Sequence, residues 1–212
     1  MEKTWTWTEP QVSRYDRLVI EERGLYYARY NDLLDLVVVR CRVHRDDKVL
    51  DIGTGTGELA RRLARNRGCY VVGLDPSQAM IEAARRKVEG NGRGMAVFEM
   101  AAAPFLEIPY PSRAFDAVAS TQAFHHVHER HKPVAVREMA RVLNVRGRLV
   151  IGDPMFRDRT DLEAALKRWP EELEEEYFAT LDTLEPMFHD AGLTFEAEQL
   201  TEINWVVWGE KQ

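Results

Sequence analysis

Between residues 48 and 152, short apolar runs alternate with stretches of helical periodicity, and this alternation leaves few folds open. KVLDI (48–52), YVVGL (70–74), AVFEMAA (96–102), AFDAVAS (114–120) and RLVIG (148–152) read as strands. Residues 58–67, 77–89 and 133–142 carry apolar positions three and four apart and read as helices. Neighbouring parallel strands need a crossover about this long, and such crossovers are right-handed. VVGL and LVIG are apolar on both alternations, as strands covered on both faces must be. Beyond Asp153-Pro154 the pattern changes. Asp161 to Ala179 reads as an acidic helical segment interrupted by Pro170, and Leu181 to Ala191 as a helix stopped by Gly192. FEAEQL and INWVVWG then suit an antiparallel hairpin at the sheet edge. The expected fold is a doubly wound α/β, Rossmann-like sheet of seven strands, mostly parallel with an antiparallel C-terminal hairpin. One domain is expected over 1–212. It carries a helical cap over 1–45, where Gly24 splits a helical stretch from Tyr15 to Arg40, and a helical insertion over 155–190.

The net charge of -6 argues against nucleic acid as a partner. The cluster Arg61, Arg62, Arg65 and Arg67 reads as a solvated helix face. The two cysteines, Cys41 and Cys69, have no metal or redox spacing, and Cys69 lies in an apolar run. No basic leader followed by an apolar run opens the chain, and no stretch approaches the roughly 18 apolar residues of a membrane span. A cytoplasmic protein that uses neither membrane nor nucleic acid is expected, as monomer or homodimer.

The first strand ends in VLDIGTGTGELARRLA (49–64). A dinucleotide-binding turn is spaced G-x-G-x-x-G, which counted from Gly53 would need glycine at 58. The chain has Glu58 there, a negative charge where a pyrophosphate would meet the helix N-terminus. Gly53, Gly55 and Gly57 alternate instead, with Asp51 just upstream, and a nucleotide-dependent oxidoreductase becomes the weakest alternative.

The D-x-G-x-G-x-G pattern resembles the signature of class I S-adenosylmethionine-dependent methyltransferases. So do VVGLDPSQAMIEAAR (71–85), IPYPSRAFDAVASTQAFHHV (108–127) and LNVRGRLVIGDP (143–154), in that family's order over residues 48–154. STQAFHHV followed by GDPMF is similar to a branch of small bacterial methyltransferases of unsettled substrate. The resemblance implies S-adenosyl-L-methionine as cofactor, with Gly53, Thr54, Gly55 and Gly57 closely approached by it and Asp51 near its amino group; a role in stabilising the loop would explain Asp51 equally well. Asp75, with Pro76 after it, would accept from the ribose hydroxyls; its alternative role is to cap the following helix. The family's usual Gly-Asp after the third strand is replaced by Ala103-Pro104, so adenine would rest on backbone from Ala101 to Phe105, with Phe105 or Met80 beside it. Tyr15 and Thr121 complete the expected cofactor contacts.

Methyl transfer from a sulfonium is an in-line displacement, so the protein mainly orients the acceptor, excludes water and in some cases removes a proton. His125, His126 and Asp153, which follow the fourth and fifth strands, are the expected catalytic residues. His125, His126, His128 and His131 lack the spacing of a closed zinc site, and no metal is expected. Trp169, Tyr177 and Phe178 are candidates to line an acceptor pocket, whereas Glu171 to Glu176 reads as a solvated helix face. The implied activity is methyl transfer to a small-molecule acceptor (EC 2.1.1.-). The alternative is a non-catalytic protein that binds S-adenosylmethionine or S-adenosylhomocysteine.

Overall fold

A computed structural model describes residues 7–89, 96–101, 104–173 and 176–212. The helices α1 (Glu9–Ile20), α2 (Gly24–Tyr27) and α3 (Tyr30–Cys41) come first. They are followed by β1 (Lys48–Ile52), α4 (Glu58–Arg67), β2 (Tyr70–Asp75), α5 (Gln78–Glu89), β3 (Ala96–Met100) and β4 (Phe115–Thr121). Then come α6 (Lys132–Val142), β5 (Leu143–Phe156), α7 (Arg159–Arg168), β6 (Ala179–Thr180), α8 (Leu181–Asp190), β7 (Glu196–Gln199) and β8 (Asn204–Glu210). Among the described residues no helix is long and apolar enough to cross a membrane.

The strand order is β3-β2-β1-β4-β5-β8-β7. The first five strands run parallel, and β8 and β7 form the expected antiparallel hairpin against β5. An eighth strand, β6, was not expected: two residues pair with Met155 and Phe156 beyond the main sheet. Alternate residues feed opposite cores, as a strand's two-residue period requires. Leu50, Ile52 and Val118 join Met139 of α6 and Phe188 of α8 on one face. Val49, Val71 and Val150 join Leu33 and Val37 of α3 and Leu63 of α4 on the other. Each fully buried side chain of this size is worth about 1.5–3 kcal/mol of transfer free energy. The chain leaves β1 toward β2 and β3, then returns to β4 on β1's other side. The β1–β4 border is therefore the switch point, where an open α/β sheet leaves a crevice beyond its strand ends.

Three local expectations need correction. Val145-Arg146-Gly147, which by composition is expected to be a turn introducing the fifth strand, lies within that strand. β5 starts at Leu143 and bulges there, its pairing with β4 jumping from Phe115–Leu143 to Ala117–Arg148 while Arg146 takes φ +65°. The N-terminal helical stretch breaks twice rather than once. Glu22 and Arg29 adopt left-handed backbone on either side of α2, so α2 becomes a short separate piece laid over the sheet. The segment expected to be helical to Ala179 stops at Arg168, because Pro170 cannot continue the ladder, and residues 176–178 lie outside any helix before β6.

Candidate active site

The glycine turn links β1 to α4 and puts three consecutive odd-numbered glycines in left-handed backbone, with φ +71°, +52° and +82° at Gly53, Gly55 and Gly57. A Cβ on Gly53 would lie 2.4 Å from the Ala123 Cβ, so that glycine is fixed by packing as well as by dihedral. Gly55 differs. A Cβ there would meet nothing nearer than the Tyr15 hydroxyl at 3.6 Å, so this peptide faces Tyr15 and can be approached closely.

Two aspartates organise the turn. Asp75 ends β2; its Oδ2 accepts the Gly55 N–H at 2.9 Å and its Oδ1 the Ser77 N–H at 2.8 Å. Burial pushes its carboxyl up to about 6, against the pull of those two donors. The cap of α5 is therefore Ser77, whose Oγ accepts from Met80 N–H at 3.4 Å, and Asp75 acts two residues further back. Asp51 is fully buried at the end of β1. Its Oδ2 accepts from the Thr54 hydroxyl at 2.7 Å, while its Oδ1 has no partner. Burial first, and nearby Asp75 after it, push its carboxyl up to about 7; the Thr54 hydrogen bond opposes the shift.

Helix α1 roofs this turn. Tyr15 packs edge-on against Trp7 and Tyr27 at 5.8 Å each. The Thr56 hydroxyl donates to Asp16 Oδ1 at 2.7 Å, and Lys87 Nζ reaches Asp16 at 2.9 Å and Glu58 at 3.1 Å. Met80 is buried with Val12 of α1, and Tyr15 packs against that cluster. Phe105 lies below the turn, edge-on to Phe124 at 5.8 Å, and its ring would be 3.7 Å from a Cβ on Gly53. Pro76 is half-buried at the head of α5, and Pro104 and Thr121 are buried. Ala103 lies outside the described residues. Arg61 and Arg62 are not merely solvated: Arg61 pairs with Glu58, and Arg62 with Asn31 and Asp35, tying α4 to α3.

Beyond the end of β4 and beside the last residues of β5 stand two imidazole–carboxylate pairs. His125 Nδ1 lies 2.9 Å from Asp153 Oδ1, both side chains almost wholly buried, and Asp153 Oδ2 has no partner. His126 Nδ1 lies 2.9 Å from Glu176 Oε2. The two rings are 4.0 Å apart between centroids. Burial, with His125 adding to it, pushes the His126 imidazole down to about 4, so it is neutral near pH 7. Tyr26 of α2 and Phe178 wall the His125 ring at 5.6 and 6.3 Å.

Several of these partners were not expected. Glu176 sits outside any helix, half-buried against His126 rather than on a solvated face. Buried Lys132 donates to the Phe124 carbonyl at 2.8 Å and so holds the 3-10 turn Phe124–His126; burial pushes its ammonium down to about 8. Gln122 takes φ +51° and donates to the Tyr26 carbonyl at 3.0 Å and to Asn204 Oδ1 at 2.8 Å, pinning α2 over the strand ends. Short-range patterns carry no signal for such contacts. The closest is the strongly polar character of Gln122 and Lys132 beside apolar neighbours.

Two aspartates thus hold a glycine turn at the switch point, and two imidazole–carboxylate pairs stand beyond it. The "Methyltransferase domain" family model matches residues 50–151. An uncharacterized methyltransferase of Geobacillus sp. (strain WCH70) is 31% identical over 212 residues, covering 96% of this chain and 92% of the relative. Among solved structures, the YcgJ protein of Bacillus subtilis superposes with TM-score 0.71 at 20% identity, over 86% of this chain and 99% of that one. Phosphoethanolamine N-methyltransferase 2 of Haemonchus contortus, solved with S-adenosyl-L-methionine, gives TM-score 0.76 at 17% identity, over 96% of this chain and 57% of that one. The chain belongs to the class I S-adenosylmethionine-dependent methyltransferases.

Proposed function

We propose that the chain is an enzyme that binds S-adenosyl-L-methionine at the glycine turn and transfers its methyl group to a small-molecule acceptor held at the His125–His126 pair. The observation that carries this reading is the orphaned Oδ1 of buried Asp51, beside a glycine whose face is open toward Tyr15. A buried carboxylate oxygen without a donor suits an ammonium group, and the residues present fit the cofactor. Asp75 already accepts two N–H bonds, but a carboxylate has about four lone-pair sites, leaving capacity for ribose hydroxyls. Gly53 to Gly57 supply backbone, Tyr15 of α1 and Met80 the roof, and Phe105 with Pro76, Pro104 and Thr121 the remaining wall.

The bound cofactor supplies an electrophilic methyl on a sulfonium. The chain's own residues do the rest. Asp153 accepts the Nδ1–H of His125, which fixes the tautomer and leaves the lone pair on Nε2 to take the acceptor's proton. His126, neutral near pH 7, is a second acceptor beside it. The N-terminal cap excludes water over the turn, and the insertion that carries Glu176 and Phe178 encloses the acceptor. The two imidazole–carboxylate pairs favour catalysis over a non-catalytic binding protein, because cofactor retention alone needs no proton acceptor beyond the strand ends.

Calorimetry with S-adenosyl-L-methionine, wild type against Asp75→Ala, tests the assignment, with transfer of labelled methyl groups into a metabolite extract as the activity readout. Tight wild-type binding, strongly weakened in the variant, is expected. Equal affinities would remove Asp75 from the site, and absence of labelled product would leave the binding-protein reading in place.

A further inference from the structure

We propose that His125, His126 and Glu176 form a binding site for one divalent transition-metal ion. The sequence spacing of the histidines argues against a closed metal site, but folding adds a carboxylate from 50 residues away. One potential ligand atom from each of the three residues lies within 4.8 Å of the others. Metal–nitrogen and metal–oxygen bonds of about 2.0–2.2 Å place ligand atoms roughly 3.3–3.5 Å apart around a tetrahedral ion. The widest separation in the cluster therefore has to close by at most about 1.5 Å. The His126 and Glu176 side chains, 28% and 15% exposed, are the ones with room to move.

The surroundings support an ion rather than a simple cluster. Metal-ligating histidines characteristically donate their other ring N–H to a carboxylate. Asp153 occupies that position on His125 at 2.9 Å, and its own side chain is 1% exposed with one oxygen orphaned. Asp153 and Glu176 bring two carboxyl groups against the imidazoles, an oxygen-and-nitrogen donor set that suits a cation. Tyr26 and Phe178 wall the His125 side and limit water there. Two imidazoles and one carboxylate suit zinc, cobalt, nickel or ferrous iron, and do not suit magnesium or calcium, which take oxygen ligands. Three protein ligands leave a coordination position open. The ion would use the imidazole lone pairs assigned above to the acceptor's proton, so ion occupancy and proton uptake exclude one another. That consequence rests on the methyltransferase reading; the ion site itself does not.

The test uses the full chain stripped by a chelator and titrated with Co2+, followed by visible absorption, with Zn2+ competition by calorimetry. One equivalent is expected to bind. Binding should be lost in Glu176→Gln and His126→Gln, and weakened about 10–100-fold in Asp153→Asn through loss of the outer partner. Calorimetry with S-adenosyl-L-methionine on the same variants checks that they fold and retain the neighbouring pocket. The proposal fails if no stoichiometric binding occurs, if Mg2+ competes equally, or if Co2+ binding persists in both variants, which would place the ion elsewhere. Failure of the cofactor reading would appear in the calorimetry alone and leave the Co2+ spectrum unaltered.

Discussion

Replacing Asp51 by Asn should raise stability and lower cofactor affinity in the same molecule. Asp51 is 0% exposed, and burial pushes its carboxyl from an ordinary 3.8 to about 7. Between those two values the native chain holds the proton more tightly than the unfolded chain does, so stability falls as pH rises through that window. The penalty is absent below about pH 4 and complete above about pH 7. At 1.36 kcal/mol per tenfold change, its upper limit is about 4 kcal/mol. Asn keeps an acceptor for the Thr54 hydroxyl but places an amide N–H2 where Oδ1 has no partner, which costs about 1–3 kcal/mol. Urea unfolding should therefore show Asp51→Asn more stable than wild type by about 1–3 kcal/mol near pH 8, with the advantage gone near pH 4. Calorimetry should show the opposite sign for binding. A lost charge-assisted hydrogen bond of about 1.5–3 kcal/mol weakens S-adenosyl-L-methionine about 10–150-fold. Wild-type affinity should also fall as pH drops through about 7, because the ammonium group favours the ionised carboxylate. A stability difference that stays flat with pH would refute the buried-charge argument, and unchanged affinity would refute the placement of the amino group.

Two other perturbations separate packing from charge. Gly53→Ala forces a Cβ to 2.4 Å from Ala123 in left-handed backbone, and should cost about 2–4 kcal/mol in denaturant unfolding; a loss under about 1 kcal/mol would show that the turn yields. Burial lowers the Lys132 ammonium from 10.5 to about 8, so the unfolded chain binds the proton more tightly between those values and wild-type stability should rise with pH above about 8. In Lys132→Met that rise should be missing from melting curves, and a rise that persists would assign it to another group.

The sheet was legible because its evidence is periodic and local. KVLDI, YVVGL and RLVIG announce strands by being apolar on both alternations, and the structure pairs them in parallel as that pattern requires. The glycine turn was legible for a related reason: its three left-handed positions are all glycines, and three in alternate positions specify a turn. β6 was not legible, because two residues carry no period; Ala179 and Thr180 become a strand only by lying beside Met155 and Phe156. The bulge in β5 was hidden likewise, since Val145-Arg146-Gly147 has the composition of a turn and only pairing with β4 decides that the strand continues.

The site divides along the same line. Asp51 and Asp75 stand at fixed offsets from the glycines, so their position could be read from spacing, although which oxygen remains unpaired could not. Glu176 could not be read, because its role depends on where an irregular segment crosses His126, 50 residues away in sequence. In the acidic run 171–176 every glutamate looks equally suited to solvent, and only three-dimensional position separates one from its neighbours. Lys132 looks like a helix-start surface residue beside Pro133, yet its stem is buried and its charge holds the turn that carries both imidazoles. The two halves of the site therefore depend on different determinants. The glycine turn, where we place the cofactor, is written into backbone conformation: all three glycines are left-handed, and Gly53 and Gly57 also have no room for a Cβ. The acceptor half is assembled from long-range side-chain pairs, where Glu176→Gln or Lys132→Met can alter the chemistry while leaving the fold intact. Substitutions that change acceptor choice should accordingly fall in the insertion and the 3-10 turn rather than in the glycine turn.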